Sequence, residues 1–145
     1  MAFAIYDSTE VTVVAMGIPI DAIGGYGEDE FVKVEWDEEG FKKKTGTDGH
    51  VTRSKTNNRG AKITLTLMQS SKANLALSAL YNLDKKAKNG AGVGPFLMVD
   101  RQGLTVYAAS KCWIAKCPDP SMGKLASERV WQLECADLEG VDGGN

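Results

Sequence analysis

A mainly β fold with one flanking α-helix is what this sequence predicts, and three observations carry the expectation. Hydrophobic alternation with period two recurs along the chain between stretches rich in Gly, Asp, Asn and Pro. One segment, residues 71–88, changes instead to helical spacing. Another, residues 37–60, has almost no apolar periodicity and reads as a long extended loop. For 145 residues the area scaling laws give roughly 7,000 Å² of folded surface against roughly 23,000 Å² unfolded. That is enough burial for one ordinary domain spanning 1–145.

The first strand covers residues 9–16, rich in β-branched valine, and stops at Gly17-Ile18-Pro19, where proline removes a ladder donor and points to a sheet margin. Residues 31–36 alternate Val32, Val34 and Trp36 against Lys33 and Glu35. The acidic runs Glu28-Asp29-Glu30 and Asp37-Glu38-Glu39 on either side read as solvated strand ends. Residues 37–60 then hold four glycines and many charges, with Phe41 and Val51 as apolar points and a turn at Asp48-Gly49 that suits a short hairpin. The clearest strand is 61–69, where Ile63, Leu65 and Leu67 face away from Lys62, Thr64, Thr66 and Met68.

After Ser70-Ser71, the residues Ala73, Ala76, Leu77, Leu80, Tyr81 and Leu83 recur every three or four positions among strong helix formers. Either serine serves as N-cap. Lys85, Lys86 and Lys88 fall in the last turn, where cations complement the helix dipole, before Asn89-Gly90 stops it. The apolar stripe fits a helix lying on the β core. Residues 95–100 and 104–116 read as a hairpin turning at 100–103. The last strand, 128–138, sets Trp131, Leu133 and Cys135 on one face and pairs with 104–116. Residues 117–123, with two prolines, form a loop between them.

The charges exclude several function classes. Seventeen basic against nineteen acidic residues give a net charge of -2, the wrong sign for a broad grip on phosphates. No apolar run is long enough for a membrane-spanning helix. The N-terminus lacks a basic n-region and does not read as a signal peptide, so a cytoplasmic protein is expected. His50 is the only histidine, which speaks against triad and most acid–base chemistry. Cys112, Cys117 and Cys135 cannot all pair within one chain. Cys112 and Cys117 are five apart, so on a strand they face opposite ways, and all three read as buried, inert thiols. The glycine runs at 17–27 and 90–94 lack phosphate-loop spacing, and the basic run 53–59 lacks interleaved aromatics for stacking bases. No catalytic residue, metal site or cofactor is expected.

Taken together, the motifs resemble a known family. They are Gly46-x-Asp48-Gly49-x-Val51-Thr52-Arg53-Ser54-x-Thr56-Asn57-Asn58, the strand Ile63-x-Leu65-x-Leu67-x-Gln69-x-Ser71, and the helix beginning near Asn74. Pro95-Phe96-x-x-x-Asp100-x-x-Gly103, Arg129-x-Trp131 and the terminal Gly143-Gly144-Asn145 follow in order. This series resembles the tail tube proteins of contractile-tailed bacteriophages and covers nearly the whole chain. The resemblance implies a β-sandwich or partial barrel, assembled into hexameric rings that stack into a hollow tube through which DNA passes. Its implied partners are further copies of itself, a sheath protein, and baseplate and tail terminator proteins, in a virion tail made in a bacterial cytoplasm. It carries over no catalytic residue. It places Asp48, Gly49, Val51, Arg53, Lys55, Thr56, Asn57 and Asn58 at contacts between subunits or rings.

The tube proteins of type VI secretion systems and tailocins share that implied architecture, and a monomeric β-barrel binding module is the other alternative. On the tube reading, Phe41 and Val51 are apolar anchors of the long loop, and Arg53, Lys55 and Arg59 meet carboxylates on a neighbour. The loop is then mobile in a free subunit and ordered in the assembly. A lumen that passes DNA must not attract phosphates, which makes Glu35 and Glu134 the lumen-facing candidates.

Overall fold

The computed structural model describes residue 3, residues 5–28 and residues 30–144. Met1, Ala2 and Ala4 of the apolar N-terminus, Asp29 of the acidic run and Asn145 of the terminal motif lie outside the described residues. A 3-10 turn at Ser8–Glu10 leads into β1 (Val11–Ala15), β2 (Ile18–Pro19), α1 (Ile20–Ile23) and β3 (Val32–Trp36). Next come β4 (Phe41–Thr45), β5 (Val51–Lys55), β6 (Ala61–Met68) and α2 (Ala73–Lys86). The chain continues through β7 (Gly94–Asp100), β8 (Thr105–Lys116), β9 (Glu128–Cys135) and β10 (Leu138–Val141).

Among the described residues, one antiparallel sheet runs in the order β2-β1-β7-β8-β9-β6-β3, with β10 also pairing β8. The fold is mainly β with one sheet-flanking helix, and the sheet does not close into a barrel. Period-two alternation gives it a buried and an open face: β6 and β9 alternate almost perfectly between buried and exposed residues. Leu65 lies opposite Trp131 and Ile63 opposite Leu133, so the apolar sides of the two strands meet on the core side. Ala73 and Leu77 of α2 complete that core with Val13, Phe96, Cys112 and Leu138. Each fully buried Leu, Ile or Phe stabilises the fold by about 1.5–3 kcal/mol.

The helix is shorter at both ends than its periodicity suggests. Ser71 lies one residue before Lys72, which occupies the cap position without a side-chain bond. The Ser71 hydroxyl donates to the Gly24 carbonyl at 2.6 Å and accepts from the Ala73 amide at 3.3 Å. Lys85 and Lys86 do occupy the last turn, but Lys88 lies beyond the end, which the Ala87 amide closes on the Leu83 carbonyl. Pro19 occupies the marginal two-residue strand where a missing donor costs least.

The last strand pairs with β8 as expected, four positions through β9 and four more through β10. Its longest pairing, over eight positions, is with β6 on the other side. Beyond Cys135 it leaves β6 and continues in unbroken register against the same β8 as β10. Between β9 and β10, Asp137 Oδ2 accepts from the Ser110 hydroxyl at 2.7 Å, and this bond lowers the Asp137 pKa from the ordinary 3.8. A depressed carboxylate pKa adds stability that is complete above the unfolded value and disappears as pH falls through the folded one. Ser110→Ala is therefore expected to destabilise the chain slightly at neutral pH and to match wild type in acid well below pH 3.8. Melting curves at the two pH values check this, and an equal deficit at both would refute it.

Candidate functional site

The 37–60 segment is not a structureless loop but a hairpin, the form its Asp48-Gly49 turn allows. Phe41 pairs with Lys55, Lys43 with Arg53 and Thr45 with Val51. The turn is closed by the Gly49 amide on the Gly46 carbonyl at 3.0 Å, and the Asp48 carboxylate accepts the His50 amide at 3.1 Å. Gly49 has φ +87°, a region where any Cβ costs strain. At the base, the Thr56 amide reaches the Gly40 carbonyl at 2.8 Å and the Asp37 amide the Gly60 carbonyl at 3.1 Å.

All ten residues of β4 and β5 are exposed, and five of them are Lys or Arg. The Arg53 guanidinium lies 4.1 Å from the centre of the Phe41 ring, a cation–π contact. Phe41 and Val51 are about half exposed, as is Trp36. The alternation that set Trp36 beside Val32 and Val34 holds for direction but not for burial, because the tryptophan stands at the strand end beside the hairpin base. There Trp36, Phe41, Lys55, Asn57, Asn58 and Arg59 line an open cleft of about 940 Å³. Sequence reasoning left Trp36 out of the site; its place next to a charge-rich, aperiodic segment was the available signal. Thr56, Asn57 and Asn58 sit in this connection, and Asn58 Oδ1 accepts the Gly60 amide at 2.9 Å. Arg59 already has a carboxylate partner within the chain, Glu139 at 3.3 Å.

Glu35 and Glu134 fall in one row across the open face of the sheet: Glu35 pairs with Lys62, and Lys62 with Glu134. Glu35 also binds Lys33 at 3.1 Å and raises its pKa by hydrogen bonding and charge. Acid and base therefore interleave there. The remaining motif residues hold the scaffold. The Ser127 amide donates to Gln69 Oε1 at 3.0 Å, and the nearly buried Arg129 donates to the Ser121 carbonyl at 3.0 Å and the Ser127 hydroxyl at 2.8 Å. These bonds tie down the long β8–β9 connection. Among the described residues no cluster of three or more His, Cys, Asp or Glu is placed to hold a metal.

The family described as the bacteriophage PhiTE tail tube protein matches residues 2–143. The chain belongs to this phage tail tube family. Over 144 residues it is 30% identical to "Structural protein ORF10" of Pseudomonas phage KPP10, covering 97% of this chain and 83% of that one. Its fold is similar to the tube-terminating cap of the anti-feeding prophage, with TM-score 0.61 and 8% identity over 99% of this chain and 95% of that one. A sheath/tube terminator of the extracellular contractile injection system PVC gives TM-score 0.63 and 9% identity, covering 97% and 99%. A chain of the PVC sheath-tube complex gives 0.55 and 9%, covering 94% and 90%. At such identities these likenesses concern the fold alone.

As a phage tail tube protein the chain is a structural tail component, not an enzyme. In this tail tube chain the hairpin gathers Phe41, Asp48, Gly49, Val51, Arg53 and Lys55 on one projecting element. Its base carries Thr56, Asn57, Asn58 and Arg59, while Glu35 and Glu134 lie apart on the sheet.

Proposed function

We propose that the subunit closes into hexameric rings that stack into a hollow tube within a contractile sheath, delivering DNA through its lumen, with the β4–β5 hairpin as the contact between subunits or rings. The observation that carries this reading is the hairpin's complete exposure. A lone two-stranded hairpin is marginal in water, and one with Phe41, Val51 and the neighbouring Trp36 uncovered gains stability when another surface covers it. Two further features support the reading. The accessible surface is 9,741 Å², well above the roughly 7,000 Å² of a monomer of this mass. Among the described residues the strand β3 has a ladder partner on one side only, an edge that suits pairing with a second copy.

Electron microscopy and sedimentation of the purified chain at rising concentration test the proposal. Rings and then tubes are expected. Monomers at every concentration would refute it, and rings that never stack would point to a terminator instead of a tube.

On this reading the open face bearing Glu35 and Glu134 lines the lumen with balanced charge that does not hold passing phosphates. The double variant Glu35→Lys, Glu134→Lys is expected to form tubes but slow DNA ejection, and added salt should relieve the slowing by screening. Normal ejection by such particles would remove this face from the lumen.

A further inference from the structure

Cys112 and Cys135 are directly opposite each other on β8 and β9, and both are buried, free thiols. The type of opposition follows from the ladder. One step further along, the Ala136 amide donates to the Lys111 carbonyl at 3.0 Å, which makes Lys111 and Ala136 a hydrogen-bonded pair. Alternation then makes Cys112 and Cys135 a non-hydrogen-bonded pair, whose Cα atoms in an antiparallel sheet stand about 4.5 Å apart with side chains on one face. Disulfides span Cα separations of about 4.4–6.8 Å, so the backbone already satisfies the bridge. The third thiol, Cys117, is exposed beyond the end of β8 and does not share this position.

We propose that Cys112 and Cys135 are a modification site: a cross-strand disulfide that forms when the assembled protein leaves a reducing cytoplasm for an oxidising medium. The biological setting rests on the tail-particle reading, whereas the chemistry rests only on the pairing. The oxidant is a small-molecule disulfide of the glutathione class. Cys135 is the attacking sulfur for two reasons. It keeps a slight exposure of 4%, whereas Cys112 has none. In addition, the two neighbouring thiols shift each other's pKa in opposite directions, lowering that of Cys135 and raising that of the buried Cys112.

The Cys135 thiolate attacks one sulfur of the oxidant, releases one thiolate and forms a mixed disulfide. Cys112 then loses its proton and attacks the Cys135 sulfur, expelling the second thiolate. Both released thiolates take up the protons given up by the two cysteines, so two protein thiols are oxidised and one small disulfide is reduced to two thiols. The product joins β8 to β9 across the middle of the sheet and closes the 112–135 loop in the unfolded chain as well.

The full chain carrying Cys117→Ser, which removes the exposed thiol, is incubated with oxidised glutathione and examined by intact mass and by non-reducing peptide mapping. The expected product has lost two hydrogens, carries no glutathione, links the peptides containing residues 112 and 135, and melts about 5 °C higher until reductant is added. Adding Cys112→Ala should leave glutathione trapped on Cys135. A persistent glutathione adduct on the Cys117→Ser protein, or two thiols still free to alkylation after unfolding, would overturn the proposal. The mass readout does not depend on tube formation, so its failure is separate from failure of the assembly reading.

Discussion

Removing residues 41–55 and joining Gly40 to Thr56 through one or two glycines is expected to yield a folded subunit that builds no tubes. The fold should survive because, among the described residues, β4 and β5 pair only with each other and contribute nothing to the core cluster. Gly40 and Thr56 are already hydrogen-bonded neighbours, so the shortened connection closes at little entropic cost. Melting should stay within about 1 kcal/mol of wild type, roughly 3 °C for a chain of this size. Assembly should fail because the deletion takes away Phe41 and Val51, each worth about 1.5–3 kcal/mol when buried against a neighbour, and with them five positive charges at every contact. Hydrogen exchange supplies the complementary measurement: cross-hairpin amides exchange quickly in the free wild-type subunit and slowly in tubes. Deletion particles with tubes of normal length, or equal protection in both states, would show that the hairpin is not the assembly element.

The sequence made the sheet legible because core strands announce themselves by alternation. Ile63, Leu65 and Leu67, and Trp131, Leu133 and Cys135, are inward-facing as their spacing requires. The hairpin was only half legible, since exposed strands have no buried face to create a period: Lys42, Lys43 and Lys44 alternate sides of β4 with no chemical difference between them. Its turn residues were the sole local signal. The β6–β9 pairing was hidden for another reason. The two strands are separated by a helix and a hairpin, and nothing in either segment encodes which long-range partner it takes.

The cysteines follow the same division. That Cys112 and Cys135 are buried was readable from their positions in apolar strands, whereas Cys117, expected to be buried with them, is exposed in the proline-bearing connection. Their direct opposition depends on register, which a single strand does not reveal. The Arg59–Glu139 ion pair likewise depends on how the fold places residues 80 apart in the chain.

Trp131→Ala should have the opposite consequence to the hairpin deletion, with the fold itself failing first. Trp131 is 2% exposed in the middle of β9, opposite Leu65, and its indole N–H donates to Asn74 Oδ1 on α2 at 2.9 Å. The Asn74 amide in turn donates to the Met68 carbonyl at 2.9 Å, so one residue ties the helix to both central strands. Truncation leaves a cavity costing about 3–5 kcal/mol, a large share of the roughly 5–15 kcal/mol that holds a domain together. Melting is expected to fall by roughly 10–15 °C. Trp131→Phe keeps most of the apolar volume but leaves the Asn74 oxygen without its donor, a loss of about 1–2 kcal/mol. Because the two side chains share one bond, Trp131→Phe and Asn74→Ala should cost less together than the sum of the single changes. Additive losses would mean the bond contributes nothing, and a Trp131→Ala melting curve close to wild type would mean the helix does not depend on this anchor. The two defects are separable by circular dichroism: Trp131→Ala loses assembly together with the fold, whereas the hairpin deletion loses assembly alone.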